Sequence, residues 1–346
     1  MIDRRRFTGA LAAASVWMAG GAARAQVGAA LPLMRAPRLK PGDTIALINP
    51  SGALYEREPY AIATETLQAL GFKVREAPNL RARYGHLAGT DRQRADDVNA
   101  MFADRNVHGI LAMTGGSGGN RMLPLVDYEA IRRNPKVLGG FSDLTALINA
   151  VHAKTGLVTF HSPVGASEWN AFSVDHFKRM LMAAEAPTLS NAKADEDVLV
   201  PKAGRIATIR PGTARGPLLG GNLAVLTAMA GSSYWPSFKG AILVLEDTNE
   251  YIYRVDRMLS TLKIAGVLDA LAGVVLGAFT NCEPGNGFGT LTLDEVFDDY
   301  FKPLGIPAWR GAQFGHIKKK WTLPIGLPVE IDAAAGTLRL SSAAVA

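Results

Sequence analysis

Residues 137–154 read VLGGFSDLTALINAVHAK, an apolar run that ends at a serine and continues into a longer segment. The run Val137–Phe141 predicts a buried strand, and Asp143–Lys154 predicts the helix that follows it. A second apolar run, Leu157–Phe160, predicts another strand. A strand, a helix and a strand in succession are typical of an α/β domain with a parallel sheet.

The same alternation of short apolar runs and amphipathic segments continues on both sides of this stretch. It predicts strands at Thr44–Ile48 and His108–Met113, and helices at Pro59–Leu70, Arg92–Phe102, Met122–Arg132 and Val174–Ala184. The periodicity then fades through residues 187–202, which are mostly small or polar. We therefore predict an N-terminal α/β domain with a largely parallel sheet at residues 39–186, followed by a linker at residues 187–204.

The second half of the chain has a more mixed pattern. It predicts strands at Ala241–Leu245 and Val274–Phe279, helices at Asn222–Ala230, Val255–Leu271 and Asp294–Phe301, and a hairpin of Pro328–Asp332 with Thr337–Leu340. A turn is predicted at Gly220-Gly221, before the first of these helices. These elements indicate a smaller, mixed α/β domain at residues 205–342. We expect the active site in the cleft between the two domains.

The N-terminus has the features of an export signal. Arg4 and Arg5 precede Phe7, residues 8–23 carry no charge, and Ala23-Arg24-Ala25 offers small residues at the spacing that a signal peptidase needs. The paired arginines resemble a twin-arginine signal. We predict a signal peptide at residues 1–25, cleavage near Ala25-Gln26, a linker at residues 26–38 and a periplasmic location. An uncleaved N-terminal anchor is the alternative.

Composition narrows the remaining classes of protein. The 346 residues are 48% apolar and 20% charged, which is the balance of a soluble globular protein. Half of the net charge of +6 lies in residues 1–25, and the later run Lys318-Lys319-Lys320 lacks interleaved aromatic residues, so a nucleic acid is not an expected partner. The single cysteine, Cys282, excludes an internal disulfide and a zinc site built from several cysteines.

Ser142 stands at the junction of a predicted strand and a predicted helix. This position lies at the carboxyl edge of a sheet, where open α/β proteins bind ligands. The N–H of Asp143 has no partner within the helix and lies at the positive end of the helix dipole, so it can stabilise an oxyanion. Ser142 is therefore a candidate nucleophile, and a helix N-cap is the alternative interpretation.

A carboxylate and a histidine could support such a nucleophile. Glu246 follows the apolar run 241–245 and so emerges from a core, where it can orient a histidine that acts as a base. Asp247 and Glu250 are competing carboxylates. Of the six histidines, at positions 86, 108, 152, 161, 176 and 316, His316 lies in a polar loop after Gly315, and Pro324-Ile325-Gly326 predicts a turn downstream. His161 is the alternative base, and we interpret it as a structural or pocket-lining residue.

The glycine-rich segment Gly115-Gly116-Ser117-Gly118-Gly119 also follows a predicted strand, where glycine backbone can approach a substrate. It matches the G-x-S-x-G pattern of the nucleophile elbow in α/β-hydrolases, which makes Ser117 a second candidate nucleophile. Five small residues in a row match this pattern easily by chance.

Five motifs in one order connect these segments. They are TGGSGG-x-R-x-LP at 114–124, GFSDLT at 140–145, GGNL at 220–223, LVLED at 243–247, and GH at 315–316 with PIG at 324–326. Together they resemble the LD-carboxypeptidase family, which includes the microcin-immunity serine peptidases. The resemblance extends roughly from Leu39 to Leu340.

The resemblance implies a role for each motif. Ser142, Glu246 and His316 would form a catalytic triad, and the N–H groups of Gly116 and Asp143 would form the oxyanion hole. No metal or organic cofactor is implied.

The resemblance further implies that Gly115, Ser117 and Asn222 contact the substrate. In the family the glycine loop commonly reads Arg-Gly-Gly-Tyr-Gly, so Thr114 and Ser117 replace an arginine and a tyrosine. These replacements remove a positive charge and an aromatic ring from the glycine-rich segment beside the oxyanion hole, which leaves the substrate preference open.

The reaction implied is removal of the terminal D-alanine from murein tetrapeptides, by cleavage of the amide between an L-centre and D-alanine. A homodimer is also implied, and a murein peptide is the expected partner. Two other functions remain open from the sequence. One is a related hydrolase that detoxifies peptide-nucleotide antibiotics, and the other is a periplasmic solute-binding protein without catalysis.

Overall fold

The computed structural model describes residues 31–193, 198–201, 204–285 and 289–346. The predicted signal peptide lies outside the described residues. The strands of the described residues, in chain order, are β1 Thr44–Ile48, β2 Lys73–Glu76, β3 Gly109–Ala112, β4 Val137–Gly140, β5 Thr159–His161, β6 Thr188–Leu189, β7 Ala207–Arg210, β8 Thr213–Asn222, β9 Ile242–Thr248, β10 Gly273–Thr280, β11 Ala308–Arg310, β12 Leu323–Ile325, β13 Pro328–Asp332 and β14 Thr337–Leu340. Their α-helices are α1 Glu58–Ala69, α2 Asp91–Ala103, α3 Tyr128–Arg133, α4 Thr145–Thr155, α5 Ala171–Phe177, α6 Leu223–Thr227, α7 Ile252–Ile264 and α8 Leu293–Phe301.

The first sheet has six strands in the order β12-β5-β4-β3-β1-β2. Within this order, the strands β5, β4, β3, β1 and β2 pair with one another in parallel. The edge strand β12 pairs antiparallel with β5. Every residue of β3, β4 and β5 is buried, as expected for continuous apolar runs in the middle of a parallel sheet. The prediction of a largely parallel N-terminal sheet is confirmed.

The second sheet has eight strands in the order β6-β14-β13-β8-β9-β10-β11-β7. The four strands from β8 to β11 are parallel, whereas the strands outside them pair antiparallel. The predicted hairpin is present as β13 and β14, which pair along their length. The chain therefore has the predicted mixed α/β fold with two sheets.

The turn predicted at Gly220-Gly221 is wrong, because both glycines lie inside β8 and pair with β9. A Cβ on Gly220 would stand 2.1 Å from the carbonyl oxygen of Val244, and one on Gly221 would stand 2.5 Å from Oγ1 of Thr145. Both glycines have positive φ, at 125° and 135°. They serve close packing of β8 against β9 and α4, which a glycine pair in a sequence does not distinguish from a turn.

The turn predicted at Pro324-Ile325-Gly326 is confirmed, because the N–H of Leu327 donates to the carbonyl of Pro324 at 3.3 Å and Gly326 has φ of 90°. Pro324 and Ile325 also lie in β12. This strand pairs with β5, so a segment from the second half of the chain completes the sheet of the first half. Proline is tolerated there because β12 is an edge strand.

Several predicted helices are shorter in the structure, among them Asn222–Ala230, which is α6, and the two that follow. The helix expected at 122–132 is divided into a 3₁₀ segment, Gly119–Leu125, and α3, since Pro124 cannot donate a helical hydrogen bond. The helix expected at 255–271 is α7, which ends before Gly266, a residue with φ of 72°.

The described parts of both predicted linkers make backbone contacts with the rest of the chain. Met34 bridges Leu157, and the N–H of Arg38 donates to the carbonyl of Ala346. In the second linker, β6 pairs with β14. The domain limits themselves stay predictions. Among the described helices, none combines the length and the apolar character needed to cross a bilayer.

Candidate active site

Ser142 lies two residues after the end of β4, beyond Phe141, and opens a short 3₁₀ turn, Ser142–Leu144, that leads into α4. Its φ is 64°, a left-handed conformation that costs a non-glycine residue about 1–3 kcal/mol. A sharp strand-to-helix turn with a strained serine is the arrangement that exposes a nucleophile in hydrolases. The strained elbow predicted as the alternative at Ser117 therefore occurs at Ser142 instead.

A continuous chain of hydrogen bonds links three of the predicted residues. His316 Nδ1 and Glu246 Oε2 are 2.7 Å apart, and His316 Nε2 and Ser142 Oγ are 3.0 Å apart. Because an ionised carboxylate can only accept, Nδ1–H donates to Glu246, and neutral Nε2 then accepts from the hydroxyl. This is the tautomer in which an imidazole can take the serine proton.

Glu246 lies in β9 and is fully buried. Burial raises the pKa of this carboxyl, but the two histidines beside it outweigh burial and bring the pKa to about 2. The loop that carries His316 passes closely over the carboxylate, because a Cβ on Gly315 would stand 2.7 Å from Glu246 Oε2. Gly315 has φ of 104°, so glycine is required there for both conformation and space.

His161, the alternative base in the sequence, lies on the far side of Glu246. Its Nε2 is 4.0 Å from Glu246 Oε1, which is an electrostatic contact beyond hydrogen-bond length. Within the described residues, neither ring nitrogen of His161 nor Glu246 Oε1 has a hydrogen-bond partner. His161 therefore supports the buried carboxylate, and the structure places only His316 at the serine, as the predicted triad requires.

Asp247 and Glu250, the competing carboxylates, are oriented elsewhere. Asp247 accepts hydrogen bonds from the Asn222 side chain and from the N–H groups of Ala224 and Thr248. Burial raises the pKa of Asp247 to about 6. Glu250 is 3.6 Å from the guanidinium of Arg254. Of the three carboxylates, Glu246 is the one that contacts His316.

The glycine loop after β3 lies against Ser142. A Cβ on Gly115 would stand 2.8 Å from Ser142 Oγ, so only glycine allows this approach. The Asp143 carboxylate accepts from the N–H of Gly119 at 2.6 Å, which ties the loop to the serine turn. In the described part of the chain, the N–H groups of Gly116 and Asp143 have no hydrogen-bond acceptor, so both are available to a ligand.

A buried arginine also holds the glycine loop after β3 in place. Arg94 donates to the carbonyl of Gly118 at 2.9 Å and to the carbonyl of Pro50, and it pairs with Asp91. Its side chain is fully buried. Sequence analysis did not identify Arg94, because an arginine on an amphipathic helix usually indicates a solvated face.

A cavity of about 370 Å³ opens beside the serine. Gly116, Ser117, Ser142, Asp143 and Asn222 line it. Ser117 is exposed, and across the described ranges no hydrogen bond joins its side chain to a histidine. Asn222 also caps α6, since its Oδ1 accepts from the N–H of Val225.

Two further residues beside the triad were not identified from the sequence. The Phe141 ring contacts the edge of His316, with 4.9 Å between the ring centroids, and Lys320 Nζ lies 4.1 Å from the centroid of the same ring. The run of three lysines in the sequence does not indicate which of them turns inward.

Comparisons with known proteins agree with this arrangement. Residues 45–162 match the model of the LD-carboxypeptidase N-terminal domain, and residues 215–331 match that of the C-terminal domain. A Bacillus subtilis protein named as a probable murein peptide carboxypeptidase is 33% identical over 306 residues, which is 86% of this chain and 92% of that one.

Two solved structures have the same fold. The structure of the Escherichia coli microcin C7 self-immunity protein MccF has a TM-score of 0.81 at 27% identity and covers 90% of this chain and all of its own. That of a muramoyltetrapeptide carboxypeptidase from Oxalobacter formigenes has a TM-score of 0.73 at 27% identity, over 86% of this chain and 97% of its own. With both halves of the chain matched, the protein belongs to the LD-carboxypeptidase family of serine peptidases.

Proposed function

We propose that this protein is a serine LD-carboxypeptidase that removes the terminal D-alanine from murein tetrapeptides. The observation that carries the proposal is the hydrogen-bonded chain Ser142–His316–Glu246, together with the N–H groups of Gly116 and Asp143, for which the described residues supply no acceptor. A solute-binding protein has no use for a strained serine held against a histidine and a buried carboxylate. The names of the relatives support the choice of substrate.

In the acylation step, Ser142 Oγ attacks the carbonyl carbon of the amide that precedes D-alanine, and His316 Nε2 takes the hydroxyl proton. The carbonyl oxygen becomes an oxyanion, which accepts hydrogen bonds from the N–H groups of Gly116 and Asp143. Glu246 stabilises the imidazolium. When the tetrahedral intermediate collapses, the C–N bond breaks and His316 gives its proton to the departing amine of D-alanine.

In the deacylation step, a water molecule replaces the amine. His316 takes a proton from the water, and the resulting hydroxide attacks the ester that joins Ser142 to the shortened peptide. The oxyanion returns to the same two N–H groups, and the proton returns to Ser142 as the ester bond breaks. The products are the tripeptide and free D-alanine.

Purified protein incubated with a murein tetrapeptide should convert it to the tripeptide with one D-alanine released per peptide. Mass spectrometry would follow both products, and the isomer with L-alanine at the C-terminus is the matched control. The likeness to MccF favours a second candidate, hydrolysis of a peptide-nucleotide conjugate. Cleavage of a microcin-type conjugate in place of the tetrapeptide would support that candidate and contradict ours.

Export is a further part of the proposal. Replacing Arg4 and Arg5 by lysine should trap a precursor in the cytoplasm, because the twin-arginine route reads the arginine pair. Immunoblots of periplasmic and cytoplasmic fractions would measure this, and N-terminal sequencing of the wild-type periplasmic protein should begin at or near Gln26. A mature chain that begins at Met1 would contradict the prediction. We also propose a homodimer, which sedimentation of the mature protein would test.

A further inference from the structure

Lys320 is a buried residue beside the triad, and no acidic side chain of the described residues forms an ion pair with it. The residue is 6% exposed, and within the described ranges its ammonium makes no ion pair or hydrogen bond. Its backbone N–H donates to Ser173 Oγ, which anchors the end of the His316 loop to α5. A buried ammonium costs free energy unless an anion joins it, so this position is suited to an anionic ligand.

The ammonium and the ring of His316 share one aromatic neighbour. His316 and Lys320 both contact the Phe141 ring, at 4.9 and 4.1 Å from its centroid, and Phe141 directly precedes Ser142. In the proposed mechanism His316 Nε2 protonates the departing amine of D-alanine. The carboxylate of D-alanine is attached to the carbon that bears this amine, so it lies within about 4 Å of the nitrogen.

The cavity that Ser142 lines does not include Lys320 and offers a carboxylate no cation. The described residues that line the cavity include the acidic residues Asp143, Asp247 and Glu250. No lysine or arginine is among these described lining residues. A carboxylate beyond the oxyanion hole would find no cationic partner in this lining, whereas Lys320 supplies one. The part of the peptide that becomes the acyl group is therefore assigned to this cavity, and the C-terminal carboxylate to the side of Lys320.

We propose that the Lys320 ammonium binds the terminal carboxylate of the peptide substrate and so restricts the enzyme to cleavage of the last residue. This inference rests on the proposed carboxypeptidase function. Phe141 holds the ammonium in place in the absence of substrate through a cation–π contact. Lys318 does not share this role, because its side chain is 80% exposed and is 3.1 Å from Glu168.

The pH dependence supplies a test that needs no variant. Burial lowers the pKa of Lys320 to about 8, against the opposing charges of Glu246 and Glu168, and His316 faces it across Phe141. Below this pH the ammonium is charged and attracts a carboxylate. As the pH rises past 8 the charge is lost, so the preference for a free C-terminal carboxylate should fall.

The closing experiment compares a murein tetrapeptide with its C-terminal amide, using the mature protein. The wild-type enzyme should prefer the free acid at least 10-fold in kcat/KM at pH 7. Lys320→Met should lower kcat/KM for the acid at least 10-fold and leave the amide within about 3-fold, so that the preference collapses. Lys318→Met is the matched control and should keep the wild-type preference.

The outcomes separate the two proposals. A wild-type enzyme that hydrolyses neither peptide would overturn the carboxypeptidase function itself. An active enzyme without a preference for the acid, or a Lys320→Met variant that keeps the preference, would overturn only the role of Lys320. If Lys320→Met does not fold, as thermal melting would reveal, the fall of the wild-type preference above pH 8 decides the question, and a constant preference overturns the proposal.

Discussion

Ser142→Ala should lower kcat for tetrapeptide hydrolysis by at least about 10³-fold, because the residual rate comes only from binding and the oxyanion hole. The fold should be retained, since alanine can occupy the left-handed conformation at a cost similar to that of serine. Steady-state kinetics and thermal melting would measure both properties. A serine-directed fluorophosphonate should add its mass to the wild-type peptide that contains Ser142 and not to the variant.

Ser117→Ala is the matched control for this prediction. Ser117 lines the same cavity, but in our interpretation only the backbone of its loop takes part in the reaction. We therefore expect a change in kcat of less than about 10-fold. If Ser117→Ala is inactive and Ser142→Ala is active, the glycine loop carries the nucleophile and our assignment is wrong.

Glu246→Gln should have the second largest effect, a loss in kcat of about 10³- to 10⁴-fold. Glutamine keeps the shape of the side chain but removes the charge that stabilises the His316 imidazolium. The acid limb of the kcat/KM profile should therefore move to lower pH, since a proton on the imidazole is no longer favoured by a neighbouring anion. Profiles of kcat/KM against pH for both enzymes would measure the shift.

The same substitution should change how stability depends on pH. The pKa of Glu246 is about 2 in the folded protein, below the ordinary value of 4.5, so the ionised carboxylate stabilises the fold above pH 4.5. This contribution is lost as the pH falls from 4.5 to 2. In the Glu246→Gln variant, this loss of folding free energy between pH 4.5 and 2 should be absent. Urea unfolding at a series of pH values would measure the difference.

Asp247→Asn is the control for Glu246→Gln. Asp247 points at Asn222 and the start of α6, so its replacement should leave the acid limb closer to the wild-type position than Glu246→Gln does. A Glu246→Gln enzyme with a near wild-type rate and an unmoved limb would show that another carboxylate orients the base.

The order of the secondary structure was predictable because it depends on local patterns. The hairpin β13–β14 and the buried strands around Ser142 follow from apolar runs and turn residues that lie next to each other in the chain. The strands β2, β6, β7, β8, β11 and β12 were missed. They are short or rich in glycine and proline, and their partners, such as β5 for β12, are distant in sequence.

By itself, the sequence determined the fold class, the family and a short set of candidate site residues, because strand ends and motif order are encoded locally. Only the tertiary structure decided among Glu246, Asp247 and Glu250 and between His316 and His161. The deciding contacts join residues that are distant in sequence, since His316 is 70 positions from Glu246 and 174 positions from Ser142. No local pattern encodes how these side chains are oriented toward each other. The left-handed conformation of Ser142 and the contact of the Lys320 ammonium with Phe141 were likewise decided by the tertiary structure, since each depends on what the folded chain brings against it.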